Sequence, residues 1–174
     1  NGVRGIFECG EQDQLEHYGM IKLWDDPGLD TDALLDEFFA RFPEGVYKFG
    51  GRTVEGDRVG GQATFSHDIP AGPVVVAPLP GAGECAEAVP LPAQISWNPV
   101  TTSITGAPIE IVKYEVIVED DVLNFDVVIP AAAGTTLTLP PQVLAPGTDY
   151  IFEVLAIEAG GNQTITEGCF TTAD

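Results

Sequence analysis

Carboxylates crowd together at two places in the chain. Asp25, Asp26, Asp30 and Asp32 put four acids within eight residues, around Pro27 and Gly28. Hard cations such as calcium take several oxygens from a flexible loop, so these four are the metal candidate of the sequence. Their spacing is not that of an EF-hand. The competing reading is a turn at Asp25-Asp26-Pro27-Gly28, a helix N-cap at Asp30 and solvated charges. Glu119, Asp120 and Asp121 form the second cluster, between two strand-like runs, and read as a charged turn.

Other chemistry is sparse. The two histidines, His17 and His67, fall in strand-like segments far apart, and neither CxxC nor HxxxH occurs, so zinc spacing is missing. They read as solvent-facing strand residues. There is no GxSxG and no phosphate loop, and Gly50-Gly51 and Gly60-Gly61 read as relief of crowding in a hairpin. Acids abound, but nothing singles out a catalytic pair. The expectation is no catalytic residue and no cofactor, with calcium the one alternative. Seven Lys plus Arg against 27 Asp plus Glu give a net charge of −20. That balance repels nucleic acids and anionic bilayers, which bind through clustered cations. The apolar runs are short and broken by Pro or Gly, so no segment is long enough to span a membrane.

Two regions of different grammar frame these residues. Residues 1–70 read as a small α+β region. It has a strand over Leu15–Trp24, a helix over Ala33–Phe42 and a hairpin of Val46–Val54 with Arg58–His67 around Glu55-Gly56-Asp57. Leu34, Leu35, Phe38, Phe39 and Phe42 recur at helical spacing and mark the buried face of the helix. Residues 71–83, rich in Pro and Gly, read as an extended connector. Residues 84–174 are strand and turn throughout, with strands near Ala86–Leu91, Gln94–Val100, Ile109–Glu119, Phe125–Ile129, Thr135–Leu139, Tyr150–Glu158 and Gln163–Thr171. Alternation sets Ile95 and Trp97; Val112, Tyr114, Val116 and Val118; and Tyr150, Phe152, Val154 and Ala156 on one side as a core.

Three stretches of this second region resemble fibronectin type III domains: Ile95-Ser-Trp-Asn-Pro-Val100 with Trp97, Val112-Lys-Tyr-Glu-Val116 with Tyr114, and Leu144-Ala-Pro-Gly-Thr-Asp-Tyr-Ile-Phe-Glu-Val154. The last is similar to a tyrosine corner, which implies that the Tyr150 hydroxyl bonds backbone near Leu144 to Gly147. The resemblance implies a mainly β fold, a seven-stranded Ig-like sandwich over residues 84–174 following the small α+β region. It is silent on function, since this architecture hosts adhesion, receptor and spacer roles alike. Residues 40–54 and 63–73 resemble uncharacterised bacterial secreted proteins that carry such a module, and no activity follows from that.

Cys85 and Cys169 lie just before the first and within the last strand of the second region. They either bridge and tie its ends or remain two small buried thiols, and Cys9 is left over. A bridge, and a first residue that is not Met, lead to the expectation of a processed secreted chain or a fragment in an extracellular, cell-surface or periplasmic setting. On the outward parity, Ile111 and Ile117 of one strand adjoin Ile151, Leu155 and Ile157 of another. This forms a contact face to be covered by the first region or by another molecule. Asn162-Gln163-Thr164 fits a glycosylation sequon and reads as incidental. The resulting expectation is a non-catalytic secreted or surface module for protein contact, self-association or spacing. A structural subunit of an extracellular assembly, or a carbohydrate-binding or hydrolase-associated unit, are the alternatives.

Overall fold

A computed structural model describes residues 31–79 and 85–174. The strand expected over Leu15–Trp24, and with it Asp25, Asp26 and Asp30 of the calcium candidate, lies outside the described residues. The chain divides into two units, the first ending at His67 and the second running from Asp68 to Asp174.

In the first unit, helix α1 (Thr31–Arg41) precedes strands β1 (Gly45–Arg52) and β2 (Arg58–Phe65). Pro43 and Gly45 end the helix, because proline cannot continue it and Gly45 takes a positive φ of 148°. The strands pair antiparallel from Gly45 opposite Phe65 to Arg52 opposite Arg58. The turn closes through the Thr53 N–H, which donates to Asp57 O at 2.9 Å, with Gly56 at φ 93°. Period two puts Tyr47 and Phe65 on the helix-bearing face, where Phe65 meets Tyr47 edge-on at 5.8 Å and Phe38 at 6.2 Å. His67 lies past the strand end and is not a solvent-facing strand residue. Its ring stacks on Phe39 at 4.1 Å and its Nε2 lies 2.8 Å from Phe42 O.

The second unit holds β3 (Val75–Ala77), β4 (Ala86–Val89), β5 (Gln94–Trp97), β6 (Ile111–Glu119), β7 (Asn124–Pro130), a short 3₁₀ turn, β8 (Thr136–Thr138), β9 (Asp149–Glu158) and β10 (Gln163–Thr172). They form a five-stranded sheet in the order β4-β10-β9-β6-β7 and a three-stranded sheet in the order β3-β5-β8. All pairs are antiparallel except β4 with β10. Eight strands replace the expected seven because β3 arises inside the stretch read as a connector.

That stretch is corrected by its hydrogen bonds. The Ala71 N–H donates to Thr102 O and the Ile104 N–H to Ile69 O, both at 2.9 Å, and Asn98 donates to Val74 O at 2.8 Å. Prolines remove donors, but an edge strand needs bonds on one side only, and the residues between the prolines supply them. Pro70, Pro73 and Pro78 are buried, so the rings serve as apolar wedges.

One apolar core joins the two sheets: Ile95, Trp97 and Leu139 from the side of the smaller sheet, and Tyr114, Val116, Val118, Tyr150, Phe152, Val154 and Phe170 from the larger. Trp97 and Tyr114 pack edge-on at 5.2 Å. The Tyr114 hydroxyl accepts the Val100 N–H at 2.9 Å, and the Tyr150 hydroxyl accepts the Ala145 N–H at 2.8 Å, beside buried Leu144. The indole N–H of Trp97 is buried without an acceptor, a penalty accepted for a large apolar wedge. Gly168 is dictated by packing, since a Cβ there would stand 2.5 Å from the Phe152 ring.

One expected core position is exchanged. Val112 is 41% exposed while Ile111 joins the core, because the β6–β9 register shifts between Ile111 and Lys113. A bulge moves a side chain to the other face, which period-two counting cannot see.

A disulfide joins Cys85 to Cys169 across 84 residues. Closing a loop of that length restricts the unfolded chain, so Cys85→Ser with Cys169→Ser should cost about 3–5 kcal/mol in a urea titration. Tyr150→Phe should cost about 0.5–1.5 kcal/mol in the same titration, and an unchanged midpoint would refute the hydroxyl's role.

Candidate functional site

The outer face of the five-stranded sheet is built by register alone. Once Tyr150, Phe152, Val154 and Ala156 of β9 point into the core, Ile151, Glu153, Leu155 and Ile157 must point out. Their neighbours follow in rows. Ile117 and Glu167 flank Glu153, Glu119 and Cys169 flank Ile151, and Glu115 and Ile165 flank Leu155. Asp126 of β7 adjoins Ile117 and extends the first row.

The four expected contact residues do not share one environment. Leu155 and Ile157 are buried, at 4% and 5% exposure, although neither belongs to the inter-sheet core. Ile117 is half-buried, and Ile151 is 45% exposed. Ile165, at 46% exposure, extends the apolar surface onto β10. Counting along two strands misses Ile165, although its parity opposite Leu155 was available once β10 was paired with β9.

Acids outnumber bases on this face, where Lys113, opposite Ile157, stands with Glu115, Glu119, Glu153 and Glu167. Partial burial pushes the Glu153 carboxyl above the ordinary glutamate range, and the charges of Glu119, Glu167 and Glu115 push it further. Each comes from a strand position that looks like an ordinary solvated acid in the sequence; only pairing brings them together.

Elsewhere, several polar side chains of the second unit bond to backbone. Asp120 accepts the amides of Leu123 and Val122, at 2.6 and 2.7 Å, which hold its carboxyl below the ordinary aspartate range. Glu158 accepts from Gly160 and Asn162 at 2.5 and 2.8 Å and closes the β9–β10 turn. Thr172 Oγ1 donates to Ala145 O at 2.6 Å and accepts from Thr148 N at 2.9 Å. Both ends of the sequon are engaged, with Asn162 Nδ2 donating to Asp68 O at 3.3 Å and Thr164 Oγ1 to Ala71 O at 3.1 Å.

Of the calcium candidate, only Asp32 falls among the described residues, in the first turn of α1. Among the described residues, no three His, Cys, Asp or Glu side chains converge as metal ligands, and no helix is long and apolar enough to cross a membrane. No family model matches this chain, and no curated protein is significantly similar to it.

The shifted carboxylates make opposite predictions. The folded-state pKa of Glu153 lies above its unfolded value, so its penalty is complete above the folded pKa and fades as pH falls through it. Glu153→Gln should therefore raise the melting temperature at pH 7, with the gain vanishing in acid below the ordinary glutamate range. Asp120 has a lowered folded pKa, so its contribution is present above the ordinary aspartate pKa and lost as pH falls through the lowered value. Asp120→Ala should melt lower than wild type at pH 7 and converge with it in acid. Melting curves from pH 2 to 7 check both signs.

Proposed function

We propose that the second unit is a fibronectin type III-like sandwich and that the chain is a non-catalytic secreted or surface protein that makes protein contacts through the outer face of its larger sheet. The fold reading is supported by a three-stranded sheet and a five-stranded sheet around one core, by the inward Trp97 and Tyr114, and by the Tyr150 hydroxyl on the Ala145 amide. The Cys85–Cys169 disulfide supports an oxidising compartment, because reduced cytosol does not keep such bonds.

The observation that carries the contact reading is the pairing of exposed Ile151 and Ile165 with Glu119, Glu153 and Glu167 on one sheet face. Ile151 and Ile165 lie on either side of the Glu153–Glu167 row, and exposed apolar side chains set among charges mark a contact surface, where solvated apolar area gains by burial. The polar groups with chemical potential, Tyr114, Tyr150, Asp120, Glu158 and Thr172, are occupied by backbone partners, which supports binding over catalysis.

A photo-crosslinking residue placed at Ile151 or Ile165 of the full chain, expressed at the surface of its own cells, tests this reading. Both positions should form protein adducts, and the same residue at Thr136 on the other sheet should form at least about tenfold fewer. Adducts restricted to glycans or lipids, or equal yields from the two sheets, would overturn it.

A further inference from the structure

Among the described strand pairs, two set like charges directly opposite each other. In the hairpin, Arg52 faces Arg58 across β1 and β2. In the large sheet, Glu153 faces Glu167 across β9 and β10. Opposed like charges weaken a sheet, and a local rule broken without internal compensation marks a position kept for something outside the fold.

The arginine pair stands out against the composition. Lys48, Arg52 and Arg58 are three of the chain's seven cations, and period two places all three on one hairpin face, the one opposite Tyr47 and Phe65. All three are exposed. Arg41 pairs with Glu37 at 3.2 Å, whereas Lys48, Arg52 and Arg58 make no ion pair among the described residues. The Arg52 guanidinium instead donates to Gly56 O at 2.8 Å, which holds it beside the turn. Next to the arginine pair on the same face, Gly50 faces Gly60, and both are exposed. With no side chains there, a partner surface can come down onto the backbone between the cations. Val46, exposed on this face, adds apolar area.

We propose that this basic hairpin face docks onto the acidic outer sheet face of a second copy of the chain, Arg52 and Arg58 of one copy meeting Glu153 and Glu167 of the next. In a paired sheet, opposed side chains stand about 5 Å apart at Cβ, so the two pairs match in spacing as well as sign. Each guanidinium can give a carboxylate two parallel hydrogen bonds. The crowding that raises the Glu153 pKa is relieved by such a partner. The two faces differ, so the contact is head-to-tail and propagates into rings or open chains unless its geometry closes.

Net charge opposes this contact only at long range. At 0.15 M salt the Debye length is about 8 Å, so repulsion between whole chains is largely screened while contacting pairs are screened less. The proposal rests on the contact-module reading above and names its partner as another copy.

Sedimentation of the full chain at about 0.15 M salt, over a range of concentrations, provides the test. Wild type should self-associate, and association should be lost at about 1 M salt, where the Debye length is near 3 Å. Arg52→Glu with Arg58→Glu, and separately Glu153→Arg with Glu167→Arg, should each weaken association at least about tenfold. An equimolar mixture of the two variants should associate again, in copies that alternate, with native pairs at one contact and exchanged pairs at the next. The second variant is decisive. It makes the chain less negative, so nonspecific charge effects would tighten association where the specific contact loosens it. Circular dichroism melts identify a misfolded variant, and Lys48→Glu with Arg52→Gln then replaces the hairpin variant. A wild type that stays monomeric at all concentrations, or variants that associate as well as wild type, would overturn the proposal. Monomeric wild type together with crosslinks from Ile151 to other proteins would overturn this inference and leave the contact-module reading standing.

Discussion

The inward packing of β9 governs everything on the opposite face of its sheet. Tyr150, Phe152, Val154 and Ala156 alternate into the core, and Phe152 fits only because Gly168 opposite it has no side chain. A slip of one residue would put Ile151 and Glu153 in the core and send two aromatic rings into water. That penalty pins the register of β9, and through hydrogen-bonded pairing it pins β6 and β10. The outer face is thus a consequence of the inner one. Its charges stand together because the core permits no other alignment, even at the cost of setting Glu153 opposite Glu167.

Charge is the second organising feature. A chain with 27 acids and seven bases cannot neutralise itself, so most carboxylates must face water or find amide donors. Asp120 and Glu158 do the latter and stabilise turns by doing so. Glu153 is only partly in water and stands beside Glu119, Glu167 and Glu115, and its raised pKa reports the difference. The few cations are not spread evenly over this acidic background. Three of them share one face of a glycine-rich hairpin whose opposite face takes part in an aromatic cluster with α1.

Proline illustrates where reading by residue type fails. The stretch from Asp68 to Leu79 has the composition of a linker, yet it carries an edge strand and buries three proline rings. A fixed φ near −65° suits an extended edge as well as it suits a linker, and only partner strands distinguish the two. The same limit applies at Ile111 and Val112, where a bulge reverses the facing of two β-branched residues that are indistinguishable by composition. The histidine at position 67 shares it too: its strand-like neighbours conceal a ring stacked on Phe39, 28 residues earlier in the chain.

What the amino-acid order determined by itself was local: strand alternation, the helix and its stop, the hairpin turn, and the inward anchors Trp97, Tyr114 and Tyr150. Each of these depends on residues within one turn or one strand, where steric and hydrophobic preferences act directly. The tertiary structure decided adjacency. It put β10 beside β9, and so Ile165 beside Leu155 and Glu167 beside Glu153; it joined Cys85 to Cys169; and it recruited the proline-rich stretch into a sheet. These relations connect residues tens of positions apart, and they follow from how two sheets must close over one core, which no local pattern encodes.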